Sequence, residues 1–320
     1  MILPGYWKFP SPDQIPPDLL LNFHDFAQKY GIEAALPRIF EVSGLRGNQS
    51  TIPTLYGMQA FGAPVTRAFV GGSTFVPASH NNSELYGKIG TLLGTDVLYS
   101  SQVIETERSS KGVKLVVRTK DGSLFLIRAK RLLITFEPTL ENMAPLDLDE
   151  KERAVFSKWT YTNAFAGIVI HPSLPVNVSL SNIPLAAAPS NYLVVPSLPY
   201  VGRFAYIGPP GFRVIVGGDK TLNITGAKAV VRDAIDKLIA AGTLPAAKPG
   251  DELKFVAFAD HGAMHLSVGE EELRGGFIQE LYGLQRQRGT WYTGAAWCAQ
   301  YTTNVWAFTE TILERLVEGL

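Results

Sequence analysis

Residues 97–136 read VLYSSQVIETERSSKGVKLVVRTKDGSLFLIRAKRLLITF, and this stretch decides the fold. Residues 97–104 form a β-branched run, followed by a turn at Ser109-Ser110-Lys111-Gly112. Val113, Leu115 and Val117 then alternate at the period of a strand with one buried face. Asp121-Gly122 is a tight-hairpin signal, after which Leu124 and Leu126 continue the pattern and residues 131–136 supply a last apolar run. The stretch predicts a three-stranded meander plus one further buried strand. Pro138 halts it, and a charged helix is expected around residues 148–156.

On the C-terminal side, residues 160–218 read as a second, mostly antiparallel sheet, with strands at 164–171, 192–195, 204–207 and 213–216 between Pro- and Gly-rich turns. A helix follows at 225–241, with Val230, Ile235, Leu238 and Ile239 apolar, then a short strand at 255–258. Residues 270–284 read as a helix interrupted by Gly275-Gly276, residues 291–293 as a strand entering Gly294, and residues 304–320 as the terminal helix. On the N-terminal side, Asp18 is placed to cap a helix over 19–30 that Gly31 ends. Residues 44–80 read as irregular connection. A helix opening at Ser83 carries Leu85, Ile89, Leu92 and Leu93 on one face and closes at Gly94. Clustered strands without strict β–α alternation make the class α+β.

Composition narrows the function. The chain has 320 residues with 29 Lys+Arg against 29 Asp+Glu, so it lacks the basic excess that nucleic-acid binding requires. With 46% hydrophobic residues it can bury a core. A single cysteine, Cys298, excludes an internal disulfide framework and any multi-cysteine metal site. No apolar run approaches the ~20 residues of a membrane span. The opening MILPGYWKFPSPDQIPP lacks the features of a signal peptide, so the chain as it stands is expected to be cytoplasmic. The sequons at Asn48, Asn81, Asn177 and Asn223 matter only if a signal precedes this segment.

Most enzyme signatures are missing: the sequence holds no G-x-G-x-x-G, Walker loop, G-x-S-x-G or H-E-x-x-H. His261 and His265 would share a helix face, but Gly262 and the adjoining strand argue against a helix, and no metal site is expected. The terminal segment TWYTGAAWCAQYTTNVWAFTETILERL is a strand, a glycine, a polar-aromatic loop and a helix. A glycine after a strand permits close backbone approach, and a helix start offers unpaired N–H groups to an anionic or carbonyl-bearing ligand. The same residues also read as an ordinary strand–loop–helix with Trp297, Tyr301 and Trp306 as core aromatics.

This segment resembles the C-terminal flavin-binding motif of the flavin-containing amine oxidase superfamily, aromatic-x-Gly-x-Glu followed by a loop and the last helix. Tyr292-Thr293-Gly294 falls on the aromatic-x-Gly, while Ala296 stands at the motif's glutamate. The resemblance implies FAD as cofactor, with Gly294 along the ribityl-phosphate region and Asn304 and Val305 at the helix start facing the flavin's pyrimidine carbonyl. There a positive helix end stabilises the charge of reduced flavin. The meander is similar to the superfamily's own, which makes Val103 the backbone contact to adenine. NNSELYGKIGTLLGTDVLYSS, PTLENM and LYGLQRQRGTWYTGAAW look like the fungal branch related to β-cyclopiazonate dehydrogenase. That branch consists of FAD-dependent oxidoreductases of secondary metabolism, which dehydrogenate elaborate substrates and in some cases couple oxidation to ring closure.

The resemblance divides the chain into a substrate or cap region (1–80), an FAD-domain-like helix and meander (81–145), a substrate domain (146–285) and the flavin-motif strand and helix (286–320). It implies an incomplete FAD-binding domain beside a mainly antiparallel-sheet substrate domain flanked by helices. The superfamily's strand, G-x-G-x-x-G turn and helix for the pyrophosphate are not found in the sequence. A shortened gene product, a scaffold reused without tight FAD, and a partner chain supplying that part are each consistent with this. The implied substrate is a polycyclic or prenylated small molecule. His261 is a candidate for the flavin's benzenoid edge, or a hydrogen-bonded histidine at a domain interface. Trp297 and Tyr301 are candidates for walls of the substrate face, or core residues. Cys298 is read as a packing residue, and no catalytic base can be named. The rivals to an oxidoreductase are a cofactor-free ligand-binding or cyclase-type remnant and an inactive fragment.

Overall fold

The computed structural model describes residues 7–44, 51–72, 77–209 and 211–319. Along the chain come helices α1 (Pro17–Leu20), α2 (Phe23–Tyr30), α3 (Leu36–Ser43), α4 (Thr54–Ala60), α5 (Ala63–Val70) and α6 (Ser83–Leu93). Strands β1 (Gln102–Ser109), β2 (Gly112–Arg118), β3 (Leu124–Ala129) and β4 (Leu132–Ile134) lead to α7 (Glu150–Phe156). Next are β5 (Thr160–Ile170), β6 (Leu180–Ser181), β7 (Tyr200–Tyr206), β8 (Phe212–Gly218), α8 (Ile224–Ala240) and β9 (Lys254–Ser267). The chain closes with α9 (Glu270–Arg274), α10 (Phe277–Tyr282), β10 (Thr290–Tyr292) and α11 (Thr302–Val317). The described residues form two compact units, one of 7–9, 61–157 and 277–319, the other of 10–60 and 158–276.

In the first unit β1, β2 and β3 form the expected meander. Val113, Leu115 and Val117 are buried on one face, as their alternation predicts. The hairpin between β2 and β3 is tied by Asp121, whose carboxylate accepts from the Thr119 hydroxyl and from the amide and hydroxyl of Ser123. The fourth strand pairs elsewhere: β4 lies parallel to β10, with Leu132 opposite Thr290 and Ile134 opposite Tyr292. Two expectations fail here. The run 97–104 does not become one strand, because Ser100 turns at φ 52° and β1 starts only at Gln102. The apolar face of α6 is not buried, and Leu92 is 85% exposed.

The second unit holds a five-stranded antiparallel sheet in the order β6-β7-β8-β5-β9. Phe165, Val169, Phe204, Val214 and Val216 share a core with Ala227, Val231 and Ile235 of α8. Asn223 caps α8, its side chain accepting from the Gly226 amide at 2.9 Å. The expected strand at 192–195 is irregular chain, and the short strand at 255–258 is the beginning of a strand running from Lys254 to Ser267. That strand follows β5 along its length with three register shifts.

The N-terminal helix breaks at Leu21, whose carbonyl accepts from the amide and the hydroxyl of Thr54. Asp18 does not cap. It sits in the first turn of α1, with Lys29 and Tyr30 bound to its carboxylate. The stretch read as irregular, 44–80, contains α4 and α5. Tyr56 and Ala60 of α4 are buried, and so tertiary burial supports a helix where local composition gives little sign of one.

Candidate functional site

β10 and the turn after it form the centre of the first unit, and a buried charged cluster fixes them. Arg108 points inward from β1 with none of its side chain exposed. Its guanidinium donates from Nη1 and Nη2 to the two oxygens of Glu152, each at 2.8 Å, and from Nε to Asp147 Oδ1 at 2.8 Å. Glu152 reciprocates the Asp149 cap of α7, which places its carboxylate. The Tyr292 hydroxyl of β10 donates to Glu152 Oε1 at 2.6 Å, and Arg288 adds a second guanidinium on Asp147. One cluster therefore ties meander, helix and terminal strand together.

The electrostatics of the cluster follow from its partners. Burial pushes the Glu152 carboxyl up, but the hydrogen bonds from Arg108, Tyr292 and the Asp149 amide outweigh this and hold it below the usual carboxylate range. Burial first, and then the Glu152 charge, raise the Tyr292 phenol well above its ordinary value. The outer edge of β10 is not open at Tyr292: Gln285 clasps it, donating to the Tyr292 carbonyl and accepting from its amide, both at 2.9 Å.

Beyond Tyr292 the chain turns sharply. Gly294 has φ 115°, and a Cβ there would stand 2.9 Å from the Thr135 carbonyl oxygen, so only glycine fits. Residues Ala295–Trp297 wind as a single 3₁₀ turn, the Trp297 amide donating to Gly294 O at 3.1 Å. Trp297 is fully buried and stacks on Tyr292 with centroids 5.1 Å apart. Its indole Nε1 has no hydrogen-bond partner, nor does the buried hydroxyl of Tyr301. Tyr301 is the N-cap of α11 and makes no side-chain cap bond. Its carbonyl accepts from the amides of Asn304 and Val305, both at 2.9 Å, which leaves the amides of Thr302 and Thr303 as the helix-opening donors.

The site therefore gathers donors without acceptors. The buried indole N–H of Trp297 and the buried phenol of Tyr301 have no hydrogen-bond partner and are costly unless a ligand or water meets them, and the first amides of α11 have no acceptor within their own helix. A ligand rich in acceptor oxygens and nitrogens fits that donor set. Cys298 is different. It is buried, its thiol is pushed up to about 11 by burial, and it donates weakly to Gly294 O at 3.4 Å. That is a packing residue, as its sequence context predicts.

The structure brings Gly294, Trp297, Tyr301, Asn304 and Val305 together within one strand–turn–helix of the first unit. Val103 is also in this unit, at the start of β1 opposite Val117, half-buried against the Val113, Leu115 and Val117 cluster. The last helix begins at Thr302, two residues before the expected start, so Asn304 and Val305 lie inside its first turn. His261 belongs to the second unit, exposed on β9. His261 and His265 both lie on that strand and share no helix. Asn223 is engaged as a helix cap, Asn81 Oδ1 accepts from the Ser83 amide, and Asn48 lies outside the described residues. Among the described residues no group of three or more His, Cys, Asp or Glu is placed to hold a metal ion. Among them, too, no helix is long and apolar enough to cross a membrane.

Sequence reasoning missed the Arg108–Asp147–Glu152–Arg288 cluster. One signal was present: Asp149-x-x-Glu152 is the spacing of a capping box. Nothing local shows that this glutamate also meets Arg108, because 44 positions separate the two.

No family model matches the chain. It is 34% identical over 317 residues to β-cyclopiazonate dehydrogenase of Aspergillus oryzae, covering 98% of this chain and 66% of that protein. It is also 34% identical over 321 residues to the FAD-dependent oxidoreductase dpchF of Colletotrichum higginsianum, again covering 98% and 66%. The chain thus spans just under two thirds of the length of the curated relatives it matches. Among solved structures, the CLA-producing fatty acid isomerase from P. acnes superposes with a TM-score of 0.72 at 16% identity, covering 98% of this chain and 70% of that one. A redesigned putrescine oxidase gives 0.56 at 11% identity, covering 97% and 71%. These two likenesses concern the fold.

Proposed function

This chain belongs to the fungal family of FAD-dependent oxidoreductases that includes β-cyclopiazonate dehydrogenase, within the amine oxidase-like flavoproteins, and we propose that it is the substrate-binding and flavin-cradling part of such an enzyme. One observation carries the reading: the segment that leaves Gly294 and enters the N-terminus of α11 holds two buried polar atoms, Trp297 Nε1 and the Tyr301 hydroxyl, with no hydrogen-bond partner. Gly294, Asn304 and Val305 line the approach to the flavin and its ribityl chain, and Val103 meets the adenine. When bound, FAD supplies hydride acceptance from a substrate C–H. The residues of this chain orient the cofactor, keep water from it with Trp297, and set a positive helix end near its pyrimidine edge. The Arg108 cluster positions Tyr292 and, through it, Gly294. The substrate is an elaborate small molecule of secondary metabolism, polycyclic or prenylated, with oxidative ring closure among its outcomes.

The first unit is proposed as an incomplete FAD-binding domain. A parallel pair such as β4 and β10 ordinarily lies within a sheet covered on both faces. Leu92 on α6 and Leu124 and Leu126 on β3 are exposed, as expected of faces that a further α/β segment would cover. The relatives contain an additional third of sequence that could supply it.

The test is FAD titration of the purified chain, followed by flavin fluorescence and by the visible flavin bands. Saturable quenching, weakened by Gly294→Val, is the expected result. A colourless protein that leaves FAD fluorescence unchanged at saturating concentration would return the choice to a cofactor-free remnant or a fragment that needs a partner chain.

A further inference from the structure

We propose that the second unit holds a small-molecule site of its own, between α3 and the chain joining β6 to β7, built for an apolar molecule bearing one anionic oxygen, a carboxylate or an enolate. A cavity of about 440 Å³ opens there, walled by Pro37 and Phe40 of α3 and by Ala187, Tyr192, Val194 and Tyr200. That volume lies within the range of ligand pockets.

The connecting chain itself points to an occupant. Residues 182–199 read NIPLAAAPSNYLVVPSLP, and their only regular element is a 3₁₀ turn at Leu185–Ala187. Loops beyond ~12–15 residues without structure of their own are uncommon in compact domains, and binding loops are one of the few classes that retain them. This one is also strongly apolar, yet within it only Ala187 is buried, while Ile183 is 59% exposed. Apolar side chains held along a cavity rather than in a core are short of contacts that an apolar ligand provides.

The polar end sets the sign of the ligand. The Glu41 carboxylate receives two guanidinium groups, Arg38 Nη1 on Oε2 at 2.9 Å and Arg203 Nη1 on Oε1. Two cations on one anion leave a net positive charge where the cavity is lined by Arg38 and Glu41. Arg203 Nε is buried and has no hydrogen-bond partner. Arg203, with the ion-paired Asp233 and Lys237, lines a smaller cavity of about 300 Å³ that shares Ser181, Asn182, Ile183 and Tyr200 with the larger one. An anionic oxygen at this seam meets the excess charge of the guanidinium pair. The inference does not depend on flavin binding: the lining residues all lie in the second unit.

Calorimetric titration of the full chain with decanoate and with decanol, below their aggregation limits, tests it. Decanoate is expected to bind at one site about tenfold more tightly than decanol, the scale of one charge-assisted hydrogen bond. Glu41→Gln is expected to strengthen decanoate binding and Arg38→Met to weaken it, with decanol unmoved by either. A merely structural role would not give these opposite signs. Val194→Trp fills the cavity and is expected to weaken both probes about tenfold or more, the scale of overpacking. If that variant loses its circular dichroism spectrum, Ile183→Asp at an exposed lining position takes its place and is expected to weaken decanoate selectively. Equal binding of the two probes, insensitivity to both charge variants, or decanoate binding unaffected by a folded cavity variant would overturn the proposal. A protein that fails to take up FAD yet binds decanoate in this pattern would separate the two readings.

Discussion

The second unit packs a sheet face of Phe165, Val169, Val214 and Val216 against Ala227, Val231 and Ile235 of α8, an apolar core continuous from strand to helix. The first unit gives its meander a cluster of three buried residues, Val113, Leu115 and Val117, and ties that meander to β10 through a buried arginine with two carboxylates and a phenol. Apolar burial is non-directional, so the second unit tolerates register shifts along β9 while its core stays filled. A buried ion cluster is directional, and holds only while every partner is in place. The difference shows where each unit is vulnerable. The first depends on geometry and the second on volume.

Deleting a single charge in the first unit breaks the comparison most sharply. Glu152→Ala leaves the buried Arg108 with Asp147 as its one carboxylate partner, and a loss on the order of 3–5 kcal/mol is expected. Amide exchange should accelerate over residues 102–118, while residues 212–240 keep their protection. Retained protection over 102–118 would show that the cluster is dispensable.

Acid should act on the same carboxyl. Its folded pKa is depressed, so its contribution is fully present above the ordinary glutamate value, about 4.3, and is lost as pH falls through the depressed value. Unfolding midpoints followed downward from pH 5 are expected to fall more steeply for the native chain than for Glu152→Gln, which has no carboxylate to protonate. Parallel pH profiles for the two proteins would refute the assignment.

In the second unit the matching change is a cavity. Ile235→Ala is expected to cost on the order of 2–5 kcal/mol, with Ile235→Val costing less than half as much, because the penalty scales with the volume removed. Denaturant midpoints of the pair check the graded response, which the charged cluster does not show. Removing the α8 cap by Asn223→Ala is worth about 1 kcal/mol, and exchange at the start of that helix measures it. Smallest of all, Leu92→Glu on the exposed face of α6 should stay within about 0.5 kcal/mol in the isolated chain. A larger loss would mean that something already covers that face.

Much of the fold could be read locally. Val113, Leu115 and Val117 alternate because one face of β2 is buried, and Asp121-Gly122 makes a hairpin because the side chain of Asp121 ties its own turn. Gly275-Gly276 split α9 from α10 as expected. The errors share a cause. α4 lacks a strong local signal and is supported by burial of residues such as Tyr56, while β9 is extended by pairing with β5 far past its apolar beginning. In the candidate site, Gly294 and the strand–turn–helix were legible. The unpartnered state of Trp297 Nε1 and Tyr301 was not, since it depends on what the rest of the unit fails to place beside them.

The sequence by itself determined the periodicities, the turn and cap chemistry, the balance of charge, and the likeness of its terminal motif to a flavin cradle, all properties of residues within a few positions of one another. Only the tertiary structure decided that Arg108 meets Glu152 and Tyr292, that β4 lies parallel to β10, and that the apolar face of α6 is exposed. The physical reason is range. Backbone propensity and capping act over one or two turns of chain, whereas desolvation and ion pairing act between any groups that folding brings together, however far apart they lie along the chain.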